Sequence, residues 1–189
     1  MIYNKPIRLI LLAFCIFTIL TACHHKKPAP PINDWDKIKS WSFKGKMAIL
    51  DGNESNTARV KWFVSKNNTQ AIFKAPLWLG SLEIIESENT AKLISSKKGE
   101  SNAETAQELI SYELGWHFPW DSLQYWLRGH KTNQPIETIQ QTKPSFIDSN
   151  WNITYTQWTQ TPLGLLPKKI KAEKPPYSVK LIIYSWDFE

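Results

Sequence analysis

The chain has 189 residues, 42% of them hydrophobic, 13% aromatic and 21% charged, with a formal net charge of +6. That length normally makes one domain with a sizeable core, and seven glycines are too few to build a phosphate loop or a dinucleotide fingerprint. The positive excess contains no block of like charges, which argues against nucleic acid as partner and for weak attraction to anionic lipid headgroups or an acidic protein surface.

The first element is a secretory signal. Lys5 and Arg8 form a basic start, Leu9 to Leu20 is a short apolar run, and Thr21-Ala22 supplies the small residues of a cleavage site. The run falls short of the roughly 20 apolar residues that span a bilayer. Leu20-Thr21-Ala22-Cys23 resembles the lipobox of bacterial lipoproteins. The resemblance implies that residues 1–22 are removed and that Cys23 is lipidated. Losing Lys5 and Arg8 lowers the charge of +6 by two, to +4. Cys15 leaves with the signal and Cys23 carries lipid, so no intrachain disulfide remains and stability rests on packing. Residues 23–34, with Pro28, Pro30 and Pro31, read as a lipid-anchored tether. His24-His25 in such a tether has no companion ligands for a metal. Residues 35–189 read as one folded domain, and it holds all ten tryptophans.

From Trp41 the pattern has period two. Trp41, Phe43, Gly45, Met47 and Ile49 alternate with Ser42, Lys44, Lys46 and Ala48, and Val60, Trp62 and Val64 alternate with Arg59, Lys61, Phe63 and Ser65, with Asp51-Gly52-Asn53 as turn chemistry between. Further strands are predicted over Gln70–Ala75, Ser81–Glu86, Ala91–Ser95, Ile136–Gln140, Trp151–Thr159, Leu166–Ala172 and Ser178–Asp187. Two helices interrupt them. Ala103–Leu114 has helical spacing, with Asn102 as N-cap and Gly115 past its end. Trp120–Gly129 follows Pro119, with Leu123, Trp126 and Leu127 as its apolar stripe and Asp121 as its cap. The predicted class is mainly β with helices (α+β): a curved antiparallel sheet with a helical lid packed across its apolar face.

Catalytic chemistry is not visible. No G-x-S-x-G elbow occurs, and His117 and His130 lack companion ligands. His117, between Trp116 and Phe118, reads as structural. Glu83 and Glu86 fall on opposite strand faces. We therefore expect no enzyme, no metal and no cofactor.

Three segments together resemble the LolB family of outer-membrane lipoproteins. They are Trp41 to Ala48, Ala75 to Ile84, and the proline-led helix Pro119 to Gly129 with Trp126 at the matching Trp; the closing strand Val179 to Trp186 also fits. The resemblance implies an incomplete β-barrel with a helical lid over an apolar cavity. It implies a monomeric receptor that accepts triacylated lipoproteins from the periplasmic carrier LolA and inserts them into the outer membrane. His24, not Asp, follows Cys23, which under the enterobacterial sorting rule implies an outer-membrane destination.

Acyl chains of cargo would be the ligand, and cavity candidates from the inward strand phase and the helices are Phe43, Met47, Trp62, Val64, Ile84, Trp126, Trp151, Ile153, Leu181 and Ile183, with an ordinary core position as the alternative reading of each. Leu77, Trp78 and Leu79 form an apolar cluster between Pro76 and Gly80, where a turn is normally polar, and match the family's protruding loop as a membrane-insertion element. The family often shows Pro-Leu-Gly where this chain has Pro76-Leu77-Trp78, and Trp lacks glycine's freedom at φ > 0. An alternative is a structural lipoprotein that docks an outer-membrane assembly machine through a Trp-rich face. A lipid esterase would need a nucleophile–base pair that the sequence does not display.

Overall fold

Alternating apolar and polar residues produce a single large antiparallel sheet. The computed structural model describes residues 38–52, 54–75, 80–117, 119–132, 134–135 and 145–189. In chain order the strands are β1 (Ser40–Asp51), β2 (Glu54–Ser65), β3 (Asn68–Lys74), β4 (Ser81–Ser87), β5 (Thr90–Ser95) and β6 (Gly99–Ala103). Helices α1 (Ala106–Leu114) and α2 (Trp120–Leu127) follow, then β7 (His130–Lys131), β8 (Gln134–Pro135), β9 (Ser145–Asp148), β10 (Trp151–Thr161), β11 (Gly164–Lys174) and β12 (Tyr177–Phe188). The ten-stranded sheet has the order β6-β5-β4-β3-β2-β1-β12-β11-β10-β9, and β7 pairs with β8 apart from it. Every neighbouring pair is consecutive in the chain except β1 and β12, which join the two halves at the centre. The sheet is curved and unclosed, with β6 and β9 as its edges.

One phase of each strand is buried. On β1 the inward residues are Trp41, Phe43, Gly45, Met47 and Ile49, as their spacing predicts, with Lys44 and Lys46 exposed between them. Both helices lie on the inward, concave side. α1 buries Ala106, Leu109 and Ile110, and α2 buries Trp120, Ser122, Leu123, Trp126 and Leu127.

The helix boundaries correct the sequence expectation at their starts. Ala103 belongs to β6, where it pairs with Ala91, and Asn102 pairs with Lys92, so Asn102 does not cap α1. Thr105 is the cap: its hydroxyl accepts from the Glu108 N–H at 3.2 Å, the three-residue spacing that capping needs. Gly115 ends α1 at φ 68°, as predicted, its N–H returning to Ser111. α2 starts at Trp120 as expected, but Pro119 holds the cap position and no side chain caps it. Asp121 sits inside the first turn, where its charge faces the positive end of the helix dipole. β6 and β9 were not expected; both are short edge strands in which the alternation is too brief to stand out. The strand expected at Ile136–Gln140 lies outside the described residues.

The β1–β12 junction is tight at Gly45. A bulge falls between Lys44 and Gly45, and a Cβ on Gly45 would lie 2.4 Å from the Ile182 carbonyl oxygen, which is backbone and cannot swing aside. Gly45→Ala is expected to lower unfolding free energy by roughly 1–3 kcal/mol, the range for overpacking. Urea denaturation measures it, and an unchanged midpoint would show that the junction tolerates the methyl group.

Candidate functional site

The concave face brings nearly all the predicted cavity residues together. Phe43, Met47, Trp62, Ile84, Trp126, Trp151, Ile153, Leu181 and Ile183 are buried in one cluster, and Val64 is half-buried at its margin. At the centre these side chains touch one another and the helices. The Trp62 ring lies 4.4 Å from that of Trp120 and stacks on Phe43 at 6.2 Å; Trp126 meets Trp151 at 6.3 Å.

Open space lies toward one end of the sheet. There a recess of about 500 Å³ is lined by Met47, Ile49, Ala58, Phe73, Leu82, Leu114 and Trp116, together with several serines. That volume falls within the range of small-molecule sites, roughly 300–1,000 Å³. Ala75 and Gly80 also border it. They face each other across the β3–β4 connection, the Ala75 N–H donating to the Gly80 carbonyl at 3.1 Å. Leu77, Trp78 and Leu79 lie within this connection and outside the described residues. Cys23 and the tether also lie outside them.

Two carboxylates hold α2 over the sheet. Glu86 of β4 accepts the Trp120 indole N–H at 2.8 Å and, through its other oxygen, the Ala106 backbone N–H at 2.8 Å. Asp148 of β9 accepts the Trp126 indole N–H at 2.9 Å, the Thr132 N–H at 2.9 Å and the Thr132 hydroxyl at 2.5 Å. The Tyr155 hydroxyl donates to the Trp126 carbonyl at 2.8 Å. Burial opposes the charge on Asp148, but the bonds from Thr132 and Trp126, with Lys131 nearby, prevail and hold its carboxyl below the usual 3.8. Burial, then the Asp148 charge, push the Tyr155 phenol well above 10.0. Among the described residues the buried indole N–H groups of Trp62 and Trp158 have no acceptor.

Sequence reasoning placed Glu83 and Glu86 on opposite faces, and they are: Glu83 bonds Gln70 while Glu86 turns toward the helices. It missed the roles of Glu86, Thr132, Asp148 and Tyr155. The usable signal was an inward-phase acid on β4 and an acid directly before the Ser149-Asn150 turn, where φ is 51° and 64°. His117 packs edge-on against Tyr177 at 5.6 Å. Among the described residues no group of three His, Cys, Asp or Glu side chains is placed to hold a metal.

A family model described as "Outer membrane lipoprotein LolB" matches residues 39–186. The outer-membrane lipoprotein LolB of Cellvibrio japonicus is 29% identical, the alignment covering 91% of this chain and 95% of the relative. That of Marinomonas sp. is 24% identical over 94% and 97%, and that of Francisella tularensis subsp. tularensis 26% over 79% and 75%. Among solved structures, a DUF1329 family protein from Desulfovibrio piger superimposes with a TM-score of 0.55 at 7% identity, covering 84% of this chain and 89% of that one. A putative outer membrane lipoprotein-sorting protein domain from Vibrio parahaemolyticus gives 0.51 at 10% identity, over 79% and 85%. At such identities these two structures speak for the fold alone.

Asp148→Ala leaves three donors around Trp126 and Thr132 without an acceptor, and is expected to cost on the order of 3 kcal/mol at pH 7. Because the folded carboxyl titrates below the unfolded one, its stabilisation is present above pH 3.8 and is lost as pH falls further. The gap between wild type and variant should therefore narrow below pH 3.8 in urea titrations; a gap that widens there would contradict the assignment.

Proposed function

The chain belongs to the LolB family of outer-membrane lipoproteins, and from that membership we propose that it accepts triacylated lipoproteins from the carrier LolA and inserts them into the outer membrane. The family traffics lipoproteins and is not enzymatic. Its outer-membrane, lipid-anchored location fits the lipobox, with Cys23 as the lipidated residue and residues 24–34 as tether.

The observation that carries the reading is the position of the apolar recess. Ala75 and Gly80, which flank the connection containing Leu77, Trp78 and Leu79, border it, so the proposed insertion loop is joined directly to the recess wall. An acyl chain costs about 0.8 kcal/mol for each CH₂ left in water, so about sixteen carbons carry roughly 12 kcal/mol. A cargo with three such chains must therefore pass from one apolar site to the next. Without a nucleotide motif in the chain, the passage runs downhill in affinity, from carrier to this protein to bilayer. In this reading Met47 contacts the acyl chain in the recess. Phe43, Trp62, Val64, Ile84, Trp126, Trp151, Ile153, Leu181 and Ile183 form the wall that α2 covers and that further chains use when α2 lifts as a lid. Docking through a Trp-rich face gains no support, because each tryptophan among the described residues is buried or half-buried.

Transfer from LolA loaded with labelled lipoprotein, followed by addition of outer-membrane vesicles, separates receipt from delivery. Ala58→Phe adds a ring to the recess lining; displacing even two methylenes costs about 1.6 kcal/mol, so receipt should drop more than about tenfold. Normal receipt by a folded Ala58→Phe would remove the recess from the pathway. The double change Leu77→Asp and Trp78→Asp should leave receipt intact and stall delivery, and wild-type delivery would rule out an insertion loop.

A further inference from the structure

Cations that are scattered along the sequence are gathered by the sheet onto its convex face, opposite the helices. One row crosses five strands: Lys169 of β11, Ile182 of β12, Lys46 of β1, Arg59 of β2 and Lys74 of β3 are successive register partners. On one side of it Lys44 stands opposite Lys61, and on the other Lys171 stands opposite Lys180. Four direct cross-strand pairs thus carry like charge: Lys46 with Arg59, Arg59 with Lys74, Lys44 with Lys61, and Lys171 with Lys180. Like charges directly opposite across antiparallel strands, with Cβ atoms about 5 Å apart, destabilise a sheet. The face is exposed: of these cations only Lys169 and Lys171 are half-covered, and among the described residues Lys171 alone of them has an ion-pair partner, Glu173 at 2.5 Å. Apolar groups are interspersed: Ile182 is half-buried between Lys169 and Lys46, Ile72 is half-buried between Lys61 and Glu83, and Tyr184, 63% exposed, sits at the Lys44/Gly45 bulge.

We propose that this convex face docks on an anionic lipid bilayer, its cation rows lying against acidic headgroups. The self-repulsion is relieved when anions arrive, and a curved face studded with cations, small apolar groups and a tyrosine matches the headgroup layer chemically. Two features favour a membrane over an acidic protein. The charge is spread broadly over five strands instead of being focused at one point, and the long row ends at Lys74, two residues before the apolar stretch that starts at Pro76. This inference goes beyond the transfer reading and stands without it, because it concerns how the body rests at the membrane and not what the recess holds.

Residues 24–189 contain every strand, both helices and the whole described core, so the unlipidated body is the vehicle for the test. Its sedimentation with vesicles of phosphatidylcholine, with and without phosphatidylglycerol, reads the affinity. Binding is expected to the anionic vesicles and to weaken with added sodium chloride. Lys46→Gln, Arg59→Gln and Lys74→Gln together should reduce it roughly 100-fold, equivalent to about 1 kcal/mol for each cation near the surface. The same charge change made elsewhere, at Lys39, Lys66 and Lys98, which are exposed but belong to none of these rows, should leave most of the binding in place.

Equal binding to neutral and anionic vesicles, salt-independent binding by the unmodified body, or equal losses in the two triple variants would each overturn the proposal. Cargo receipt from LolA without vesicles is measured in parallel. Receipt lost in the convex-face variant while its vesicle binding persists would make the partner an acidic protein and overturn the proposal. Receipt that fails in the unmodified protein defeats the transfer reading and leaves this one standing.

Discussion

The arrangement depends on where two buried indole N–H groups find their acceptors. Trp120 and Trp126 both project from α2 into the concave face, and each finds a carboxylate there: Glu86 from one half of the sheet, Asp148 from the other. Burying a tryptophan removes about 150–250 Å² from water, which contributes roughly 4–6 kcal/mol. An indole N–H left without an acceptor costs only about 1–3 kcal/mol. Burial therefore decides that α2 lies on the sheet, and the carboxylates decide where. The same comparison explains how Trp62 stays fully buried although its N–H has no acceptor among the described residues. Because Glu86 also holds the first N–H of α1, both helices are tied to one point on β4.

Those magnitudes bear on how, in the transfer reading, a sheet with a filled centre could take up cargo. Two indoles contribute on the order of 8–12 kcal/mol to seating α2, and one acyl chain of about sixteen carbons carries a similar amount. A single tail therefore competes with the helix on nearly equal terms. Within the transfer reading this makes the recess beside the β3–β4 connection the entry point, since it is already open, and the tryptophan-lined centre a reserve that cargo wins by displacing α2. In that reading near-balance also suits release, because a rigidly hollow cavity would hold the tails too well.

The sheet works in opposite senses on its two faces. Its concave side excludes water, and at Asp148 it keeps a charge there because three donors outweigh the cost of burial. Its convex side exposes rows of cations that repel one another in the free protein. The β1–β12 junction sets this contrast, since it places Lys46 in line with both Arg59 and Ile182 and so joins cations from both ends of the chain. Gly45 lets that junction close by leaving no side chain against the Ile182 carbonyl.

Local patterns account for the strands, the helices and the inward phase. Period-two spacing from Trp41 to Ile49 and from Val60 to Val64 sorts the buried residues correctly, because alternation depends only on the geometry of each strand. The same holds for Gly115 as the end of α1, a position fixed by its own left-handed conformation. Capping by Thr105, and not Asn102, was hidden because β6 claims Asn102 through a partner strand. The acceptors of the two indoles, the recess, and the gathering of dispersed lysines onto one face all depend on pairings between residues far apart in the chain. Only the strand pairing of the folded sheet creates those distances, because spacing along a sequence carries no information about which strand will lie alongside.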